Sequence, residues 1–180
     1  MKFRVAESKI DETPPRGARL SPRALALHLA KEKAAAVAAR YPRAVVIAAD
    51  TVVSAGKKCL GKPSSKKEAL EMLLFLNGRR HEVTTGVAVA SDGKIRAASC
   101  TTQVWFRTHE PRFLKWYVET GEPMDKAGAY GIQGIGALLV EKIHGDYFNV
   151  VGLPLARALD LLSAAAPQSA QWTSKGNFFS

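Results

Sequence analysis

The sequence predicts a single α/β domain built on a mixed sheet flanked by helices. Helix-like and strand-like segments alternate through the first half of the chain, and hairpin signals dominate the second half. The 180 residues, 47% of them hydrophobic, are enough for one good core and short for two. The domain is expected to span residues 1 to 163. From Ala164 to Ser180 the chain is small, polar and aperiodic apart from Phe178 and Phe179, which predicts a flexible tail.

Glu7 to Arg19 is polar and carries Pro14, Pro15 and Gly17, so it reads as a loop. Ser21 and Pro22 form a helix start, a side-chain cap followed by proline at the first helical position, where its missing N–H costs nothing. The helix is expected to run to about Arg40. Its apolar stripe follows Ala26, Leu29, Ala30 and Val37, and Lys33 falls on that same stripe. A lysine on a buried face calls for an explanation.

Ala44 to Ala49 is short, apolar and β-branched, as expected of a strand covered on both faces, with Asp50 at its C-terminal end. Turns at Gly56 and at Gly61 to Pro63 lead to a helix from Lys66 to Asn77, stopped by Gly78. His81 to Ala90 and Ile95 to Arg107 read as strands joined by an Asp92-Gly93 hairpin turn. A short helix with Phe113, Trp116 and Tyr117 and a glycine-rich stretch from Gly121 to Gly136 come next. Ala137 to Ile143 and Tyr147 to Val151 are expected to pair as the last strands, turning at Gly145, before a closing helix from Leu155 to Ser163.

The formal net charge of +10 favours an anionic partner: nucleic acid, a membrane surface or a polyphosphate. The basic residues are dispersed, with only short pairs at Lys57-Lys58, Lys66-Lys67 and Arg79-Arg80, and no RNA-binding aromatic motif or helix-turn-helix accompanies them. Nucleic acid is therefore not the expected partner. No run approaches the roughly 20 apolar residues of a membrane helix, and the first residues lack a signal-like apolar region, so a soluble, cytoplasmic protein is expected. Cys59 and Cys100 have no metal-ligand or redox spacing, and the four histidines form no HExxH pair; structural histidines are the default.

Charged groups at the ends of buried elements are the chemical candidates. Asp50 is delivered by an apolar strand, with the Thr51 hydroxyl beside it. Lys62 is held between Gly61 and Pro63, and Glu12 closes the Ser-Lys-Ile-Asp-Glu run. The segment Asp125 to Gly136 has too much glycine for a regular element and implies close approach of backbone to a ligand. It supplies the Lys126 charge and the Gln133 amide, which can both donate and accept. Neither a Walker loop nor a dinucleotide fingerprint is present, and no nucleophilic serine or cysteine sits in an elbow motif.

Seven segments, in order, resemble the Maf family of nucleotide pyrophosphatases: residues 7–12 (Glu-Ser-Lys-Ile-Asp-Glu), 29–34 (Leu-Ala-Lys-Glu-Lys-Ala), 49–53 (Ala-Asp-Thr-Val-Val), 60–63 (Leu-Gly-Lys-Pro), 78–83 (Gly-Arg-Arg-His-Glu-Val), 125–134 (Asp-Lys-Ala-Gly-Ala-Tyr-Gly-Ile-Gln-Gly) and 149–154 (Asn-Val-Val-Gly-Leu-Pro). The resemblance implies a curved mixed sheet flanked by helices, two lobes around a nucleotide cleft, a homodimer, and hydrolysis of a nucleoside triphosphate to monophosphate and pyrophosphate. It implies Asp50 as the proton acceptor, Glu12, Lys33 and Lys62 as charged cleft residues, with the Lys33 ammonium facing triphosphate, and Thr51 and Gln133 at positions linked to nucleobase choice. Magnesium or manganese, held by the hard oxygens of Asp50 and Glu12 together with substrate phosphates, is the expected cofactor. The Ala-Asp-Thr and Tyr-Gly-Ile-Gln-Gly forms resemble the branch acting on dTTP and UTP.

The sequence departs from the family pattern at its start. Members begin with a strand and a Ser-x-Ser-Pro-Arg-Arg loop ahead of the Ile-Asp-Glu segment, and these are expected to be missing here. Ser21-Pro22-Arg23 lies after Ile-Asp-Glu and is read as a helix cap. The alternative reading is a truncated, non-catalytic homologue that binds nucleotide or nucleic acid; a purine-directed pyrophosphatase of related fold is a third.

Overall fold

Helix α1, Pro22–Arg40, begins as its sequence dictates. Ser21 stays extended outside the helix while its Oγ accepts the Ala24 N–H at 3.2 Å, and Arg23 points away to donate to Ser99 Oγ at 3.0 Å. The computed structural model describes residues 3–12 and 20–166. Residues 13–19 of the expected loop and 167–180 of the expected tail lie outside the described residues.

The strands β1 (Val46–Ala55), β2 (Lys58–Leu60), β3 (Arg80–Ser91), β4 (Lys94–Phe106) and β5 (Val140–His144) form one sheet in the order β2-β1-β3-β4-β5. It is flanked by helices, as expected of an α/β domain. Every pairing among the described residues is antiparallel, which corrects the expectation of a mixed sheet. Asp92 and Gly93, at φ 50° and 73°, make the tight turn between β3 and β4, whose positive dihedrals match the twist of the strands it joins.

Two further expectations are corrected. β1 does not end at Ala49; its ladder to β3 runs unbroken from Val46 to Ser54, so Asp50 stands mid-strand opposite Gly86. The polar Asp50, Thr51 and Ser54 interrupt the apolar run without ending the strand, because the ladder uses backbone groups that those residues supply like any other. Tyr147–Val151 is a short helix, α4, and not the partner of β5. Its β-branched and aromatic residues favour a strand, but Asp146 Oδ1 accepts the N–H groups of Phe148 and Asn149 and starts a helix instead.

Helices α2 (Lys66–Leu76), α3 (Pro111–Glu119) and α5 (Leu155–Ala165) complete the regular elements, and α5 runs to Ala165 rather than Ser163. The glycine-rich stretch forms three short 3-10 turns at Glu122–Asp125, Ala127–Ala129 and Gly134–Leu139. Two clusters make the core. Ala30, Ala34 and Val37 of α1 pack on Val46, Ala88 and Ala90 of one sheet face. On the other face Val53, Val83 and Val104 meet Leu73, Leu76, Leu114 and Tyr117 of α2 and α3. Gly86 permits the approach of α1: a Cβ there would lie 2.3 Å from the Ala26 carbonyl oxygen. Among the described residues no helix is long and apolar enough to cross a membrane.

Candidate active site

β1 is bordered by β2 only at Val53 to Ala55, so among the described residues its earlier part is a free sheet edge. A cleft of about 720 Å³ wraps around that edge, lined by α1, β1, the Gly61-Lys62 loop, residues 125–133 and the end of α4. Alternation along the strand sends Asp50 to the face carrying α1 and Thr51 to the face carrying α4. One strand thus equips the two sides of the cleft differently.

The α1 side is charged. Lys33 Nζ lies 2.6 Å from Asp50 Oδ1 and 2.8 Å from Glu12 Oε1, and Lys62 Nζ is 3.8 Å from Glu12 Oε2. The lysine on the apolar stripe therefore faces two carboxylates, not hydrocarbon. Asp50 and Lys33 are withdrawn from water, with side chains 9% and 17% exposed, whereas Glu12 and Lys62 are half open to it. Burial raises the Asp50 carboxyl above its ordinary value; the Lys33 hydrogen bond opposes this, and the nearby Glu12 charge reinforces it. The Lys33 hydrogen bond holds Glu12 below the usual carboxylate range. Burial alone would lower Lys33, but hydrogen bonds to Asp50 and Glu12 outweigh it and leave the ammonium firmly protonated.

The α4 side is uncharged. Thr51 and the end of α4, Val150 and Val151, line it, and Tyr130, Ile132 and Gln133 also line the cleft. Lys126 also lines the cleft, paired with Asp125 at 2.6 Å, its stem packed so closely over Gly131 that a Cβ there would meet Lys126 Cε at 2.7 Å. All seven residues singled out from the sequence, Glu12, Lys33, Asp50, Thr51, Lys62, Lys126 and Gln133, line this one cleft.

Sequence reasoning missed the residues that hold the walls in place. Glu122 Oε1 accepts the Gly136 N–H at 2.9 Å and the Tyr117 hydroxyl at 3.0 Å, while Oε2 accepts the Ile135 N–H at 3.0 Å. This pins the turn that directly follows Gln133. Burial tends to raise Glu122, but the Gly136 and Ile135 donors prevail and keep it lowered. Asn149 and Thr85, both fully buried, fasten α4 to β3. The Asp146 cap three residues ahead of Asn149 is the local sign that could have pointed to a helix there. His81 is buried and only half satisfied, which departs from the expectation of satisfied histidines: its Nε2 is 2.8 Å from the Tyr130 hydroxyl, its Nδ1 has no hydrogen-bond partner among the described residues, and burial lowers its pKa to about 4, so it is neutral at physiological pH.

A family model described as Maf-like protein matches residues 1–165. The chain belongs to the Maf family. Its Maf relatives include a protein of Bacillus pumilus (strain SAFR-032), 51% identical over 143 residues that cover 79% of this chain and 76% of the relative. One of Moorella thermoacetica is 51% identical over 165 residues, 91% of this chain and 84% of the relative. One of Pyrococcus furiosus is 45% identical over 158 residues, 88% and 80% respectively. Each of these three is named dTTP/UTP pyrophosphatase.

Proposed function

We propose that this Maf protein is a nucleoside triphosphate pyrophosphatase that hydrolyses dTTP and UTP to the monophosphate and pyrophosphate. The observation that carries this is the division of a single cleft into an acid and lysine cluster on one side of β1 and a neutral hydrogen-bonding wall on the other. A triphosphate suits the first side and a pyrimidine base the second. The names of its relatives support the same substrates.

Asp50 is the proton acceptor. Its Oδ1 is engaged by Lys33, and its second carboxylate oxygen takes a proton from the attacking water. The water oxygen bonds to the α-phosphorus as the bond to the bridging oxygen breaks, and pyrophosphate leaves with the electron pair. Lys33 and Lys62 meet the negative charge that gathers on it. Asp50 and Glu12 fit a hard divalent cation such as magnesium or manganese, since both already converge on one positive centre, Lys33 Nζ. Asp50 and Glu12 would hold such an ion, which would supply neutralisation of the phosphate charge. Work in the cytoplasm as a homodimer completes the proposal; adjacent exposed apolar residues Tyr147, Phe148, Val151 and Leu155 support association.

The test is pyrophosphate release from dTTP, UTP and CTP with magnesium or manganese, for the wild type and Asp50→Asn. The substitution should lower turnover by about a hundredfold or more while nucleotide still raises the melting temperature. Undiminished turnover would remove Asp50 from the chemistry, and a wild type inert towards every nucleotide would remove the pyrophosphatase reading.

A further inference from the structure

His81 fills a corner of the core that an apolar ring would fill with less desolvation. It stands on β3 opposite Val104, 1% exposed, and its ring meets Phe106 and Tyr130 edge-on at 4.8 and 5.4 Å between centroids, while those two meet each other at 4.6 Å. A phenylalanine could make the same ring contacts without burying polar nitrogens. Of the two imidazole nitrogens, Nδ1 has no partner among the described residues, and Nε2 is 2.8 Å from the Tyr130 hydroxyl. That bond is what the imidazole adds to the corner. Tyr130, 5% exposed, belongs to the cleft wall; His81 does not.

The chain on the far side of that bond is held in a conformation it does not favour. Gly128 and Ala129, directly before Tyr130, take φ of 70° and 60°, and the Cβ of Ala129 disfavours this left-handed region. Hydrogen bonds to other elements hold the turn. The Gly128 N–H donates to the Gly61 carbonyl at 3.0 Å, the Tyr130 hydroxyl meets His81, and the Gly131 N–H reaches the Tyr117 hydroxyl at 3.4 Å. Tyr130 lies between Lys126 and Gln133 in sequence, so this turn sets where both stand in the cleft.

We infer that His81 is a positioning residue for nucleotide binding: through the Tyr130 hydroxyl it holds residues 126–133 in place along the cleft without lining the cleft itself. This rests on the proposal that the cleft takes a nucleoside triphosphate. The acid and lysine cluster does not depend on the tether, since Glu12, Lys33 and Asp50 come from the N-terminal segment, α1 and β1. Losing the tether therefore leaves the reacting groups in place and loosens the wall on which a bound nucleotide rests. Binding must then order that wall as well, and the effect appears in KM rather than in kcat.

The experiment measures kcat and KM for UTP in the wild type, His81→Phe, Tyr130→Phe and the double variant, together with amide hydrogen exchange. Each single variant should raise KM about five- to tenfold and leave kcat within about twofold. The double variant should be no worse than either single one, because both remove the same bond. Exchange should quicken in residues 126–133 and keep its rate in residues 87–90 of β3. A loss of stability alone lowers the folded fraction, and so the apparent kcat, at unchanged KM. That result overturns the inference, as do single effects that multiply in the double variant. If His81→Phe does not fold, Tyr130→Phe, which removes a single oxygen, decides by the same split between KM and kcat. A wild type inert towards UTP overturns the pyrophosphatase reading, and exchange then judges the tether by itself: unchanged rates in residues 126–133 of the variants overturn it as well.

Discussion

The two faces of the sheet are packed with different materials. Under α1 the contacts are Ala30, Ala34, Ala88 and Ala90 with two valines, and Gly86 lets the helix backbone come closer still. Under α2 and α3 the valines of the sheet meet leucine, methionine, phenylalanine and tyrosine. Small side chains bury little area and so contribute little hydrophobic free energy, but they set a short helix-to-sheet distance, the distance over which the Lys33 ammonium reaches Asp50. Large side chains stabilise without touching the charged cluster. One face supplies most of the cohesion, and the other supplies the position of the acid and lysine cluster.

Substitutions can separate these roles. Leu73→Ala, at a fully buried residue of the large-residue core, should lose about 2 to 5 kcal/mol in denaturant unfolding while turnover per folded molecule is kept. A turnover loss to match would break the comparison. Gly86→Ala forces a Cβ against the Ala26 backbone and should cost about 1 to 3 kcal/mol. Because α1 must shift and carry Lys33 with it, turnover should fall about tenfold or more, a larger functional effect from a smaller loss of stability. The least disruptive change is Glu12→Gln, at a partly open side chain, with a stability change below about 1 kcal/mol. Its signature is in the pH profile. As the proposed proton acceptor, Asp50 would have to be ionised, so turnover should fall as pH drops through its raised pKa. Removing the Glu12 charge and leaving Lys33 to Asp50 alone both favour the ionised form, so the acid limb should move to lower pH.

The elements governed by neighbouring residues were legible in the sequence. Ser21 and Pro22 start α1, Asp92-Gly93 turns a hairpin, and Lys33 stood out on its apolar stripe, although its two carboxylate partners did not. Elements settled by distant partners were not. Tyr147–Val151 reads as a strand from its composition, but Asn149 is tied to Val83, Thr85 and Thr102, between 47 and 66 residues away in sequence. Glu122 looks like an ordinary loop acid until Ile135 and Gly136 fold back onto it. The end of β1 was misplaced for a related reason: the apolar run stops where the cleft begins, not where the ladder ends. At the site, the chemical groups were visible locally and the scaffold that orients them was not.

The cleft wall holds three carboxylates, Glu12, Asp50 and Asp125, against three ammonium groups, Lys33, Lys62 and Lys126. It is electrically balanced at neutral pH, although the whole chain carries a formal charge of +10. On the proposed function, a triphosphate arriving there meets no surplus of fixed positive charge among the described lining residues, and cations bound with it would offset its charge. Among the described residues the excess positive charge lies outside this lining, where it raises the rate at which anions arrive and loses that effect as ionic strength rises. Attraction from a distance and neutralisation at the point of reaction are thus assigned to different parts of the molecule.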